Sequence, residues 1–69
     1  MTELVFNVTR EEEGGFSASA VGANIFTQGD TWEELREMVI DATKCHFFES
    51  EPPKVVRLHL VNDDVLAVA

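Results

Sequence analysis

Thr27-Gln28-Gly29-Asp30-Thr31-Trp32-Glu33-Glu34-Leu35 is the stretch on which the fold turns, because the hydrophobic period changes inside it. Before Gly29 apolar residues alternate with polar ones; from Trp32 they recur every three or four positions, at Leu35, Met38 with Val39, Ala42, and Cys45 with His46. Alternation marks a half-buried strand, and the longer period marks a helix with one buried stripe. The junction is punctuated accordingly. Gly29 permits a turn, and Asp30 or Thr31 offers an oxygen to the free N–H groups of the first helical turn. Thr31 with Glu34 reads as a capping box, and Glu33 and Glu34 lie at the positive end of the helix dipole. Asp30, Thr31 and Glu34 are therefore expected to be structural residues.

Working back toward the N-terminus, Ile25-Phe26-Thr27-Gln28 reads as a short strand. Phe16, Ala18 and Ala20 alternate with Ser17, Ser19 and Val21 in a second strand, and Leu4, Phe6 and Val8 alternate with Val5, Asn7 and Thr9 in a first. Glu11-Glu12-Glu13-Gly14-Gly15 between them suits a hairpin loop whose closing residues take positive φ. Toward the C-terminus, Pro52-Pro53 ends the helical region because proline lacks a donor and restrains its predecessor. Val56, Leu58 and Leu60 then alternate with Val55, Arg57, His59 and Val61, and Asn62-Asp63-Asp64 turns the chain into Val65-Leu66-Ala67-Val68. The expected fold is α+β: an antiparallel sheet with one helix packed on one face, in the order β-β-β-α-β(β), with residues 1–69 as a single domain.

Composition narrows the function. The 69 residues carry 13 Asp and Glu against 5 Lys and Arg, a formal charge of -8. Phosphate binding depends on clustered Lys and Arg, so a basic protein is the expected partner and direct nucleic-acid binding is not expected. A domain this short has a thin core, and one cysteine allows no intrachain disulfide, so self-association as a dimer or tetramer is expected. Val5, Val21, Val55 and Val61 fall on the sheet face that the helix leaves uncovered. Met1-Thr2-Glu3 does not open a signal peptide, and no stretch approaches the roughly 18 apolar residues of a membrane span, which points to a cytoplasmic protein.

The acids concentrate in two places. Glu11, Glu12 and Glu13 form either a partner-binding tip or a solvated loop. Glu33, Glu34, Glu37, Asp41 and Lys44 run along the helix face opposite the apolar stripe; Arg36 and Lys44 offset some of the acids, and the remaining like charges cost only about a few tenths of a kcal/mol each on a solvated surface. No acid interrupts the apolar face of a strand, so a metal-dependent nuclease is disfavoured and no catalytic residue, metal or cofactor is expected. Cys45 and His46 are adjacent on the helix and point about 100° apart, poor geometry for a shared metal or a nucleophile with its base. Cys45 is expected in the core, His59 on the surface with Arg57, and Trp32 and Phe47-Phe48 in the core or an interface.

The run from Gly14-Gly15-Phe16 through Ala18 to Thr27-Gln28-Gly29-Asp30-Thr31-Trp32-Glu33-Glu34-Leu35 resembles the HicB family of small antitoxin-like domains. The resemblance extends over essentially the whole chain, although Val21-Gly22-Ala23-Asn24 stands where the family has a Leu-Pro-Gly bend. It implies a domain that occludes a small, basic, mRNA-cleaving toxin of HicA type. Glu11, Glu12, Glu13, Glu37 and Asp41 are then candidates for the contact with basic residues. Longer family members append a DNA-binding segment; this chain ends at Ala69 and resembles the short members, so operator binding is not carried over. The alternative is an orphan, homo-oligomeric interaction or regulatory module with no toxin partner.

Overall fold

The computed structural model describes residues 2–61 and 67–68. Four strands, β1 (Glu3–Arg10), β2 (Phe16–Ala20), β3 (Phe26–Gly29) and β4 (Val55–Val61), and one helix, α1 (Trp32–His46), follow in the order β-β-β-α-β. The α+β class and the element order are those expected. The turn at Asn62-Asp63-Asp64 and the entry at Val65 into a closing strand lie outside the described residues.

The sheet, expected to be antiparallel throughout, is mixed, with strand order β3-β2-β1-β4. β1 and β2 form the hairpin, with Val8 opposite Ala18, and β2 pairs antiparallel with β3, with Ala18 opposite Thr27. β4 instead joins the other edge parallel to β1, placing Leu4 beside Val56 and Phe6 beside Leu58. Connectivity gives the reason. Two antiparallel steps leave β3 running in the direction of β1, and α1, about 22 Å long, carries the chain back to the starting end of the sheet. The next strand must then run with β1. Its ladder opens where the backbone N–H groups of Lys54 and Val55 both donate to the Thr2 carbonyl, at 3.1 Å each.

The hairpin loop closes as its glycines foretell. Gly14 N–H donates to the Glu11 carbonyl at 3.1 Å and Glu11 N–H to the Gly15 carbonyl at 3.0 Å, with φ of +98° at Gly14 and +88° at Gly15. Gly29 has a different function from the one expected. Its φ is ordinary, and the constraint is space: a Cβ there would lie 2.6 Å from the Leu35 backbone nitrogen. The glycine lets the end of β3 pass against the first turn of α1.

Thr31 is the N-cap, its Oγ1 accepting from Glu34 N–H at 3.1 Å. The Glu34 carboxylate returns to the N–H of Asp30, one residue before the usual capping-box position, at 3.3 Å. Asp30 thus takes part through its backbone. The helix ends at His46, with Phe47 N–H bonded to the Thr43 carbonyl, and the chain unwinds through turns well before Pro52.

Leu4, Phe6, Val8, Ala18, Ile25, Leu35 and Val39 form the buried core. Cys45, expected there, is exposed. The buried helix stripe steps by four, Leu35, Val39, Thr43, and Cys45 lies two residues and so about 200° beyond Thr43, on the far side. Thr43 fills the core position and satisfies its hydroxyl by donating to the Val39 carbonyl at 2.7 Å.

Candidate functional site

A helix about 10 Å across roofs about two strands spaced 4.7–4.9 Å apart. α1 packs over β3 and β2. The apolar side chains of β1 on the same sheet face, Leu4, Phe6 and Val8, are sealed beneath its flank, but those of β4, Val56, Leu58 and Leu60, stay half-buried. Between α1 and β4 an open groove of about 620 Å³ remains. Val39 and Ile40 line its helix side, and Val56 and Leu58 rise from β4. Glu33, Glu37 and Asp41 stand along the rim with Arg36.

The five candidate contact acids therefore divide between two surfaces. Glu37 and Asp41 line the groove, joined by Glu33. Glu11, Glu12 and Glu13 are exposed at the hairpin tip and take no part in it. The tip stands at the end of the sheet where α1 begins, since Phe16 meets Trp32 edge to face at 5.4 Å between ring centroids and Arg10 lies over the Phe16 ring at 5.6 Å. Asp30, Thr31 and Glu34 are occupied in the cap.

The groove's apolar component was not anticipated. Ile40 falls outside the helical stripe, among the charged positions Glu37 and Asp41, and is 45% exposed. An apolar residue off the stripe was the available signal, together with a strand carrying three alternating apolar residues and one helix to roof four strands.

The opposite sheet face is open. Val21 and Val55 are more than half exposed there, Val5 and Val61 are half-buried, and Phe26 adds a ring that is 67% exposed. Arg57 donates from Nε to the Glu3 carboxylate across the β1–β4 ladder. That hydrogen bond, and then the charge of Glu3, raise the Arg57 pKa above its ordinary value. His59 is exposed on the same face, as expected. Phe47 is half-buried against the core, whereas Phe48 is 83% exposed. Among the described residues no three His, Cys, Asp or Glu side chains gather where they could hold a metal ion, and no helix is long and apolar enough to cross a membrane.

Two relatives match along most of the chain. A UPF0150 protein of Thermotoga maritima is 50% identical over 66 residues, covering 96% of this chain and 93% of that one. A UPF0150 protein of Archaeoglobus fulgidus is 49% identical over 51 residues, covering 74% of this chain and 77% of its own. No protein-family model matches the chain, and no solved structure does.

Proposed function

The chain belongs to the UPF0150 family, and from that premise and the geometry of the groove we propose that it is a HicB-type, antitoxin-like binding domain without enzymatic activity. Its partner in this reading is a small basic HicA-like toxin that cleaves mRNA in the cytoplasm. The observation that carries the proposal is the apolar groove with three carboxylates on its rim, in a chain of net charge -8. Apolar contact supplies affinity, and the acidic field speeds encounter with a cationic protein and selects against anionic ones. Inhibition is steric: the domain covers the basic surface with which the toxin would hold RNA. No cofactor, metal or direct nucleic-acid contact enters the mechanism. Co-expression with the product of the adjacent gene tests it. A neighbour that arrests growth alone, is neutralised by this protein and is retained by it supports the reading; one that is neither toxic nor retained refutes it.

The second reading, a homo-oligomeric module with no toxin, is favoured by the open sheet face, where Phe26 and Val55 expose apolar surface. It predicts a dimer or tetramer in light scattering at micromolar concentration, dispersed by Phe26→Ser. A stable monomer refutes it.

A further inference from the structure

We propose that the groove between α1 and β4 is the seat of a cationic amphipathic helix from the partner protein. This deepens the function proposed above and rests on its premise that the partner is a basic protein.

Shape argues for a helix. The occupant must lie on the face of β4 rather than along its edge, because Val56 and Leu58 rise from that face and Ile40 closes the far wall. A helix set beside α1 at the usual interaxial distance of about 8–10 Å would rest on β4 and complete the half-roofed layer. A seven-residue strand spans about 23 Å, which a helix of about 15 residues matches. Apolar side chains at i, i+3 or i+4, and i+7 of that helix would meet Ile40, Val56 and Leu58.

Charge argues for its sign. Three acids against Arg36 leave the groove's wall two charges negative, and Glu33, Glu37 and Asp41 are spaced i, i+4, i+8, so they form one row along the flank of α1, about 6 Å apart in rise, outside Arg36 and Ile40. A row of Lys or Arg at the same four-residue interval on a neighbouring helix is its complement, as in the flanking charges of paired helices. A second copy of this chain suits the groove less well: a two-fold contact would bring three acids from each copy together with only Arg36 of each to offset them.

The test uses a synthetic helix of about 15 residues with Leu at the seam and Lys every fourth position on one flank, and a twin in which each Lys is Glu. Calorimetry gives affinity, and backbone chemical shifts locate the contact. The proposal expects the Lys peptide to shift Ile40, Val56 and Leu58, and the Glu twin not to bind. Ile40→Gln, and separately the pair Glu37→Gln with Asp41→Asn, should each weaken binding about tenfold. All three positions are exposed, so these variants keep the fold, and an unchanged circular dichroism spectrum verifies it. Glu11→Gln with Glu12→Gln and Glu13→Gln removes more charge but should change affinity by less than about twofold. Equal weakening by the tip variant would mean unspecific attraction, and shifts confined to the open sheet face would place the contact elsewhere; either overturns the proposal. So does a dimer that Ile40→Gln disperses. If the toxin is retained unchanged by the groove variants, the groove assignment falls and the toxin reading stands. If the peptide behaves as expected while no neighbour is retained, the toxin reading falls alone.

Discussion

Gly29→Ala offers the sharpest test of how this domain is assembled. The added methyl would lie 2.6 Å from Leu35 N, 2.9 Å from Leu35 Cα and 3.1 Å from Glu34 C. All three are backbone atoms, so no rotamer change relieves the contact. Ordinary van der Waals contact begins at 3.4 Å, so β3 and the first turn of α1 must separate by 3.4 - 2.6 = 0.8 Å. That shift acts on Leu35, which is fully buried, and on the edge contact between Phe16 and Trp32. Overpacking against immobile backbone costs about 2–3 kcal/mol. A 69-residue domain has roughly 3–10 kcal/mol of stability in total, and its melting temperature moves about 4–8 °C per kcal/mol, so a fall of about 10–20 °C is expected. Urea unfolding followed by the fluorescence of Trp32, the chain's one tryptophan, measures it. Gly14→Ala is the control: its φ is +98° with nothing within 4 Å, so the only cost is backbone strain of about 1 kcal/mol. If Gly29→Ala unfolds within about 0.5 kcal/mol of the parent, or if Gly14→Ala is the more damaging of the two, the close-approach argument is wrong.

Other outcomes follow from the same packing. Thr31→Ala removes the cap acceptor of Glu34 N–H and should cost about 1 kcal/mol in urea unfolding; no change would mean that Asp30 takes over the cap. Phe6→Ala, in the middle of the central strand, should cost about 3–5 kcal/mol and leave the chain largely unfolded by circular dichroism. Cys45 should react with a thiol reagent in the native protein as fast as in urea, and Cys45→Ser should leave the unfolding midpoint unchanged; protection of the native thiol would contradict its exposure. Glu3→Gln should leave the unfolding midpoint almost unmoved, because the ion pair with Arg57 is solvated. The hydrogen bond and charge of Glu3 raise the Arg57 pKa further above neutrality, so Arg57 keeps its charge and a titration through neutrality should show no transition from it.

The elements were legible wherever local chemistry specifies them. Alternation fixed β1, β2 and β4, the change of period at Gly29 placed α1, and Thr31 with Glu34 marked its first turn to the residue. What was not legible depended on geometry between elements. Nothing in Val55–Val61 says which way it runs; the parallel pairing follows from α1 being long enough to return the chain to the end where β1 begins. Cys45 was misplaced because three- and four-residue steps both fit Trp32, Leu35, Val39 and Ala42, and only the packed helix selects Thr43 as the next buried position. Glu37 and Asp41 were identified as exposed acids. Their pairing with Ile40, Val56 and Leu58 required knowing that the helix sits to one side of the sheet.

The place of β1 between β2 and β4 has a consequence for how the chain comes to be folded. Its first strand is one of the sheet's two inner strands, and one of that strand's two partners, β4, is the last of the described elements in chain order. A chain emerging from the ribosome can close the hairpin and wind α1 early, yet Leu4 cannot meet Val56, nor Phe6 meet Leu58, until the chain has been released as far as β4. Pairings so distant in sequence slow the final step, because loop-closure entropy is lost before the contacts compensate. Until then one long edge of the strand that supplies Leu4, Phe6 and Val8 to the core stands open to any other strand, so this domain is most vulnerable to aggregation in the interval between synthesis and closure.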